Sequence, residues 1–405
     1  MTAMATPSFL SEFPPVTTDA WEQAIREDLK GAEYAEKLIW RSPEGFDVKP
    51  YYRAEDLAGT EFLNVAPGDF PYARGFRSTG GWRIREEIDA VDPEDANRTA
   101  QFAVAAGAEE IAFSRVAIAN ASDLGILLSN LSEIAVHFET TSDATVGLLI
   151  DRLNNRPDGI ELSAGLDWSA DPDASAIVLA KAPSSFVPFT IHADTFQELG
   201  ATAVEEVGFA LASGVDFLRE MQQRGLAPER VAASITFSFA MGPEFFMQAA
   251  KLRAFRLVWA QAAESFGIAR ERARARIYAR TSRSNRTSSD PHTNALRGTT
   301  EAMSAIIGGS ESIYVAPFDE CCGTPDEASR RLARNTRIIL KQEAFLTRVS
   351  DPGGGSYYLE VLTDSIAARA WKMLQEIESA GGWRKAAELV TRRLEHRSAE
   401  QQEKV

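Results

Sequence analysis

Four histidines, two adjacent cysteines, one glycine-rich turn and one arginine-dense segment are where this 405-residue chain could carry chemistry. His137, His192, His292 and His396 include no pair at metal-ligand spacing. There is no H-E-x-x-H and no Cys/His cluster, so no metal site is expected. His137 alternates with apolar neighbours in an expected strand and reads as a partly buried strand histidine. His192 falls at a strand end, where a barrel would place its active face. Cys321 and Cys322 are sequence neighbours, which gives no basis for a disulfide framework. They read as reduced thiols at a loop or helix start.

The turn Asp351-Pro352-Gly353-Gly354-Gly355-Ser356 has backbone N–H groups that could cradle phosphate. It lacks the Lys and following Ser/Thr of a P-loop, so a tight turn is the expectation. Arginines 270, 272, 274 and 276 alternate with other residues, an arrangement that need not gather them into one patch. The richest segment is RIYARTSRSNRTSSDPHTNALR, residues 276–297, where a strand end meets Arg280, Ser282, Arg283, Asn285 and Arg286 ahead of a new helix. Cationic and hydroxyl groups converging at the C-terminal end of a barrel strand suit a carboxylate or phosphate ligand.

The elements that must position these groups alternate. Helical patterns at 94–106, 123–131, 143–154, 197–224, 243–268 and 293–307 are interleaved with short apolar runs such as EEIAFSR, EIAVHFET, ASITFSFA and SIYVAPFD. Seven or eight such units fit a (β/α)8 barrel, an α/β fold. The absence of G-x-G-x-x-G at a strand-to-helix turn weighs against an open doubly wound sheet. Residues 1–95 read as an N-terminal arm, 96–361 as the barrel, and 362–405 as C-terminal helices leaving it and fraying. In the arm, Thr17 and Thr18 offer caps for a helix from Thr18 to about Lys30, and aromatics from Phe13 to Trp82 are separated by turn residues. Such a segment makes no compact core alone and is expected to wrap another domain or subunit.

Charge narrows the partners. Lys and Arg number 43 against 58 Asp and Glu, a net charge of −15, which excludes a generic binder of nucleic acid or anionic membrane. No run approaches the length needed to span a bilayer, and the N-terminus lacks a signal-peptide pattern, so cytoplasm is the default.

The runs DPHTNALRGTTEAMSAIIGGSESIYVAPFDE and RRLARNTRIILKQEAFLTRVSDPGGGSYYLEVLTDSIAARAW resemble the barrel of the cobalamin-dependent acyl-CoA mutases, in particular the methylmalonyl-CoA mutase family. FPPVTTDAWEQAIREDLKGAEYAEKLIWRSPEGFDVKPYYRAEDL and FPYARGFRSTGGWRIREEID resemble the small (beta) subunit of that family. The resemblance implies a (β/α)8 barrel with an arm used in subunit pairing. It also implies adenosylcobalamin-driven radical isomerisation of methylmalonyl-CoA and succinyl-CoA, the cofactor supplying the difficult chemistry.

Departures from the family pattern qualify this. The D-x-H-x-x-G ligand motif of the cobalamin domain is absent from these residues. Pro71-Tyr72-Ala73-Arg74-Gly75 is followed by FRSTGGW, a shorter loop without the expected tyrosine. Aligning on Gln197-Glu198-Leu199-Gly200-Ala201-Thr202 puts Asp194 and Thr195, not a Tyr-His pair, ahead of that motif, with His192 too far upstream. The resemblance therefore implies a small subunit that supports a catalytic large (alpha) subunit, with no catalytic residue of its own. It would bind acyl-CoA at most weakly, and adenosylcobalamin would be bound mainly by the partner. Arg74, Thr195, Gln197, Arg280, Ser282, Asn294 and Arg297 are the candidates for the substrate region, and Glu343 for the corrin-facing position. Two alternatives stand beside this one: the substrate-binding barrel of a split acyl-CoA mutase with a separate cobalamin chain, and an acyl-CoA-binding or scaffold protein.

Overall fold

The computed structural model describes residues 15–75, 81–139, 141–155 and 159–402. Of residues 389, 393 and 396–402, His396 among them, the backbone alone is described. Phe13 and residues 76–80, which hold most of the shortened FRSTGGW loop, lie outside the described residues.

Residues 1–53 form one unit. Its helix Thr18–Asp28 opens where Thr17 Oγ1 accepts the Ala20 N–H. A helix at Tyr34–Leu38 follows, then an antiparallel pairing of Trp40–Arg41 with Asp47–Val48. Neither helix buries a side chain. The aromatics gather instead at one point: Trp21 stacks on Tyr51 at 4.5 Å, with Arg53 over the Trp21 ring.

The second unit, residues 54–405, is built on eight parallel strands closed into a barrel. The strands are β1 (Arg83–Asp89), β2 (Glu110–Ser114), β3 (Ala135–Phe138), β4 (Leu162–Leu166), β5 (Val187–His192), β6 (Ile235–Met241), β7 (Ile277–Thr281) and β8 (Ser312–Tyr314). Closure comes from β8 pairing with β1, Ser312 opposite Arg83. The helices are α1 (Pro93–Ala105), α2 (Ala121–Leu127), α3 (Asp143–Asn155), α4 (Pro172–Lys181), α5 (Ala203–Gln223), α6 (Phe245–Ser265), α7 (Thr293–Ile307) and α8 (Glu327–Gln342). Each follows its strand, so the chain is a (β/α)8 barrel.

Caps written in the sequence start these helices. Asp92 accepts from Asp95 N ahead of α1, with Pro93 in the first turn. Thr202 and Glu205 form a capping box at α5. That box corrects the expected continuous helix 197–224: Gly200, at φ +89°, ends a short helix Asp194–Glu198 before α5 begins.

The barrel also begins earlier than the expected arm–barrel border at 95/96. Its first strand is RIREEID, in which only Ile84 and Ile88 are apolar, so it lacks the continuous apolar run by which the other strands were sought. Ile84 and Ile88 are buried, and Glu86 takes Arg334 and Arg337 of α8 at 3.0 and 3.2 Å. Elsewhere the outward face is apolar: Phe237 meets Phe255 and Trp259 of α6, and Phe189 meets Phe217 of α5.

A last correction concerns the C-terminal helices. The helix α9 (Tyr357–Ser379) does not leave the barrel but packs on α5 and α6, burying Leu359, Leu362, Ile366, Ala370 and Leu374. The helix α10 (Trp383–Gln402) follows it, and Trp383 packs against Phe196 and Phe209.

Candidate functional site

Side chains two apart on a strand share a face, and in a barrel alternate strands fill successive layers of the interior. Here the odd-numbered strands deliver charge to those layers: Arg85 and Glu87 from β1, His137 and then Glu139 at the end of β3, His192 from β5, Tyr278 and Arg280 from β7. Several of the even strands' positions are small, such as Ala112, Ser163 and Ser238. Gly165 on β4 is required by the crowding, because a Cβ there would meet the Glu139 carbonyl oxygen at 1.9 Å.

The interior is consequently a connected polar network. The Arg85 guanidinium lies over the Tyr278 ring, donates to Glu110 at 3.1 Å and binds Glu139. Tyr278 Oη donates to Glu87, and Arg280 sits 3.9 Å from both Glu87 and Asp194. Ser238 donates to Asp194, with His192 Nδ1 3.8 Å from the same carboxylate. His137 Nδ1 hydrogen-bonds Ser163 Oγ at 2.9 Å.

Burial works against charge throughout, and the partners decide the outcome. On Arg85 and Arg280 burial is outweighed by Glu139 and Glu87 respectively, and both guanidinium groups are held above their ordinary value. On Glu139, burial is outweighed chiefly by Arg85, which holds the carboxyl well below the usual range. Glu87 goes the other way: burial raises its carboxyl despite Arg280. The two histidines diverge. Burial and then Arg85 lower His137, whereas on His192 burial is outweighed by Asp194 and the imidazole is raised.

The sequence candidates do not form one site. Gln197, Ser282 and Thr195 gather at the C-terminal mouth: Ser282 Oγ donates to Gln197 Oε1 at 2.9 Å, and Thr195 Oγ1 donates to the His192 carbonyl. Arg280 lies just inside that mouth. Asn294 is fully buried and saturated, its Nδ2 bound to the carbonyls of Thr287 and Phe318, its Oδ1 accepting from Thr287 N and Arg297 Nη1. Asn294 and Arg297 thus hold the β7–α7 loop. Arg74 is elsewhere, donating to Asp351 at 2.8 Å and pairing with Glu360 at 3.1 Å. Glu343, at the C-terminal end of α8, is exposed near Lys341, which reaches the Trp82 carbonyl and Glu109 at the strand N-terminal ends. It lies away from the mouth shared by Arg280, Gln197 and Ser282.

The glycine-rich turn spends its backbone donors internally, Gly354 N on the Asp351 carbonyl and Gly355 N on Glu360. Arg272, Arg274 and Arg276, which need not have formed one patch, line one cavity of about 470 Å³ at the N-terminal mouth. The reason is the same two-residue period: Ala273 and Ala275 turn inward, so the three arginines share the opposite face. Arg270 lies over the Phe70 ring and pairs with Glu264. Sequence reasoning missed Arg85, Glu87, Glu139 and Tyr278. The signal was the charge at every second position of RIREEID.

Among the described residues no cluster of three or more His, Cys, Asp and Glu could hold a metal ion, and no helix is long and apolar enough to cross a membrane.

Comparison with known proteins gives a consistent picture. The family described as methylmalonyl-CoA mutase matches residues 41–128 and 175–405. Residues 129–174, which carry His137, Glu139 and Ser163, fall between the matched spans. The methylmalonyl-CoA mutase small subunit of Porphyromonas gingivalis (strain ATCC BAA-308 / W83) is 36% identical over 93% of this chain and 65% of its own length. The small subunit of Propionibacterium freudenreichii subsp. shermanii is 32% identical over 98% of this chain and 68% of its own. The large subunit from Porphyromonas gingivalis is 30% identical, over 90% of this chain and 59% of its own length. The chain therefore spans less than two thirds of the Porphyromonas relatives it matches.

Proposed function

The chain belongs to the methylmalonyl-CoA mutase family, and we propose that it serves there as the small subunit of a heterodimeric, adenosylcobalamin-dependent methylmalonyl-CoA mutase. The family's activity is an isomerisation. In this reading the chain supports a catalytic large subunit in the cytoplasm and does not itself interconvert methylmalonyl-CoA and succinyl-CoA.

The observation that carries the supporting role is the occupied lumen. A barrel that turns over an acyl-CoA needs room around the reacting carbons and donors aimed at the thioester carbonyl. Here Arg85, Tyr278, Glu139 and Arg280 project into that space: Arg85 lies over the Tyr278 ring and binds Glu139, Tyr278 donates to Glu87, and Arg280 stands 3.9 Å from Glu87 and Asp194. The greater identity to the small than to the large subunit of the same organism agrees with this.

Adenosylcobalamin, when bound in the holoenzyme, supplies a carbon radical by Co–C homolysis. The C-terminal rim of this chain does not fit a corrin, whose broad face needs an apolar seat. The rim presents the ion pairs Arg115–Asp89 and Arg283–Glu320 around a polar cavity of about 310 Å³. We therefore assign cobalamin binding to the large subunit and pairing with that subunit to the N-terminal arm.

The test is a mutase assay with adenosylcobalamin and methylmalonyl-CoA, on this chain alone and with its large subunit. Activity in the mixture alone, unchanged by Arg280→Ala or Gln197→Ala, supports the reading. Activity that needs those two side chains overturns it. The arginine-lined cavity at the N-terminal mouth favours one alternative, the substrate-binding barrel of a split mutase. That reading requires turnover with a separate cobalamin-binding chain and no second barrel.

A further inference from the structure

The sulfur atoms of Cys321 and Cys322 lie 3.7 Å apart, and both residues are free and exposed. They end a 3-10 turn, Glu320–Cys322, that follows β8 on the C-terminal rim. We propose that this adjacent pair is a reversible thiol–disulfide modification site. A low-molecular-weight disulfide oxidises it to a bond between the neighbouring residues, and the β7–α7 loop is loosened as a result.

The coupling to the loop is a set of named contacts. Cys321 Sγ donates to the Thr287 carbonyl at 3.3 Å, and Asn294 Nδ2 reaches the same sulfur at 3.5 Å. Asn294 is the buried clamp of that loop, as described above. Glu320, one residue before the pair, accepts from Arg283 Nη2 at 2.9 Å, and Arg283 N donates to Glu198. The two cysteines therefore stand where the rim turn meets the loop that carries Ser282 and Ser284.

The chemistry balances as two exchanges. The Cys321 thiolate, 3.5 Å from Asn294 Nδ2, attacks one sulfur of the small disulfide, breaking its S–S bond and expelling one small thiolate. Cys322, its sulfur 3.7 Å from that of Cys321, stands within reach for the second step. Its thiolate attacks the Cys321 sulfur of the mixed disulfide and expels the second small thiolate. The two protons released by the cysteines end on those thiolates. The protein has lost two electrons and two hydrogens, and the reagent has gained both as two thiols.

Geometry makes the product easily reversed. The Cα atoms across a trans peptide are about 3.8 Å apart, whereas ordinary disulfides span roughly 4.4–6.8 Å. The ring is strained, and strained, exposed disulfides are the readily reduced ones. Its effect on the loop follows from composition: a disulfide sulfur has no hydrogen, so the donation to Thr287 is lost outright.

The experiment treats the reduced, full-length chain with oxidised glutathione. Both free thiols should disappear with a mass loss of two hydrogens, and dithiothreitol should restore them. Cys321→Ser and Cys322→Ser should each instead retain one bound glutathione. Amide hydrogen exchange across residues 283–294 should quicken several-fold in the oxidised chain and recover on reduction. A wild-type chain that keeps both thiols, or carries glutathione on each, overturns the site. Oxidation with unchanged exchange in 283–294 overturns its coupling to the loop.

Discussion

The Arg85 guanidinium carbon lies 3.8 Å from the centroid of the Tyr278 ring inside the barrel. One comes from the first strand and the other from the seventh, 193 positions apart by their residue numbers. The contact shapes both halves of the functional reading. Arg85 is the sole cation bound directly to Glu110 and Glu139 among the described residues, so it settles whether two buried carboxylates are compensated. Tyr278 is what its flat face rests on, and the Tyr278 hydroxyl extends the network to Glu87.

Arg85→Met should lower stability by about 3–5 kcal/mol, because it leaves buried carboxylates without their partner. Tyr278→Phe keeps the ring under Arg85 and removes one hydrogen bond, so its cost should be nearer 1–2 kcal/mol. Urea unfolding of both variants checks the order. An Arg85→Met midpoint equal to that of the wild type would mean that the lumen network contributes nothing to the fold.

Two glycine-to-alanine substitutions should move stability in opposite directions. At Gly165 the new methyl meets the Glu139 carbonyl oxygen at 1.9 Å and its carbon at 2.9 Å, backbone atoms that yield only if β3 shifts. A loss of about 3 kcal/mol or more is expected. At Gly147, within α3, nothing lies within 4 Å, and alanine should stabilise by roughly 0.5–1 kcal/mol. Thermal or urea unfolding of the pair separates crowding from helix propensity.

Arg74→Ala tests whether this residue, a substrate-region candidate from sequence, is structural. Its guanidinium joins Asp351 and Glu360, which also hold Arg253, so four side chains form a closed set with balanced charge. Opening it should cost about 3 kcal/mol. The methylmalonyl-CoA KM of the assembled mutase should not change. A raised KM at unaltered stability would return Arg74 to the substrate region.

How much was legible follows from which face of each element carries the signal. The α7 helix at 293–307 and most strands are visible because their outward faces pack against helices and must be apolar. The lumen was not visible: Arg85 and Glu87 flank a third charged residue, Glu86, which faces the other way, and their partners Glu139 and Tyr278 are distant in sequence. Asn294 and Arg297 stand in a recognisable motif, yet only the folded loop reveals that Asn294 binds its backbone and that Arg297 donates to Asn294. For Arg272, Arg274 and Arg276 the spacing was visible and its consequence was not drawn: on an extended segment residues two apart share a face, so the same alternation that gave no reason to expect a patch places the three together.

The two lumen histidines should leave opposite marks on the pH dependence of stability. His137 is buried and its imidazole is lowered, first by burial and then by Arg85. The unfolded chain, with a histidine near pH 6.5, binds the proton first on acidification. The neutral His137 contribution is therefore complete above about pH 6.5 and is lost as pH falls toward the lower folded value. His192 is raised, since Asp194 outweighs burial, and its contribution is complete below about pH 6.5 and fades as pH rises through the folded value. Replacing His137 by Asn should thus narrow the stability gap to wild type as the solution is made acidic. Replacing His192 by Asn should narrow it as the solution is made alkaline. Urea midpoints measured from pH 5 to pH 9 decide the matter: gaps that move together for both variants would mean that the Asp194 and Arg85 environments do not set these two imidazoles apart.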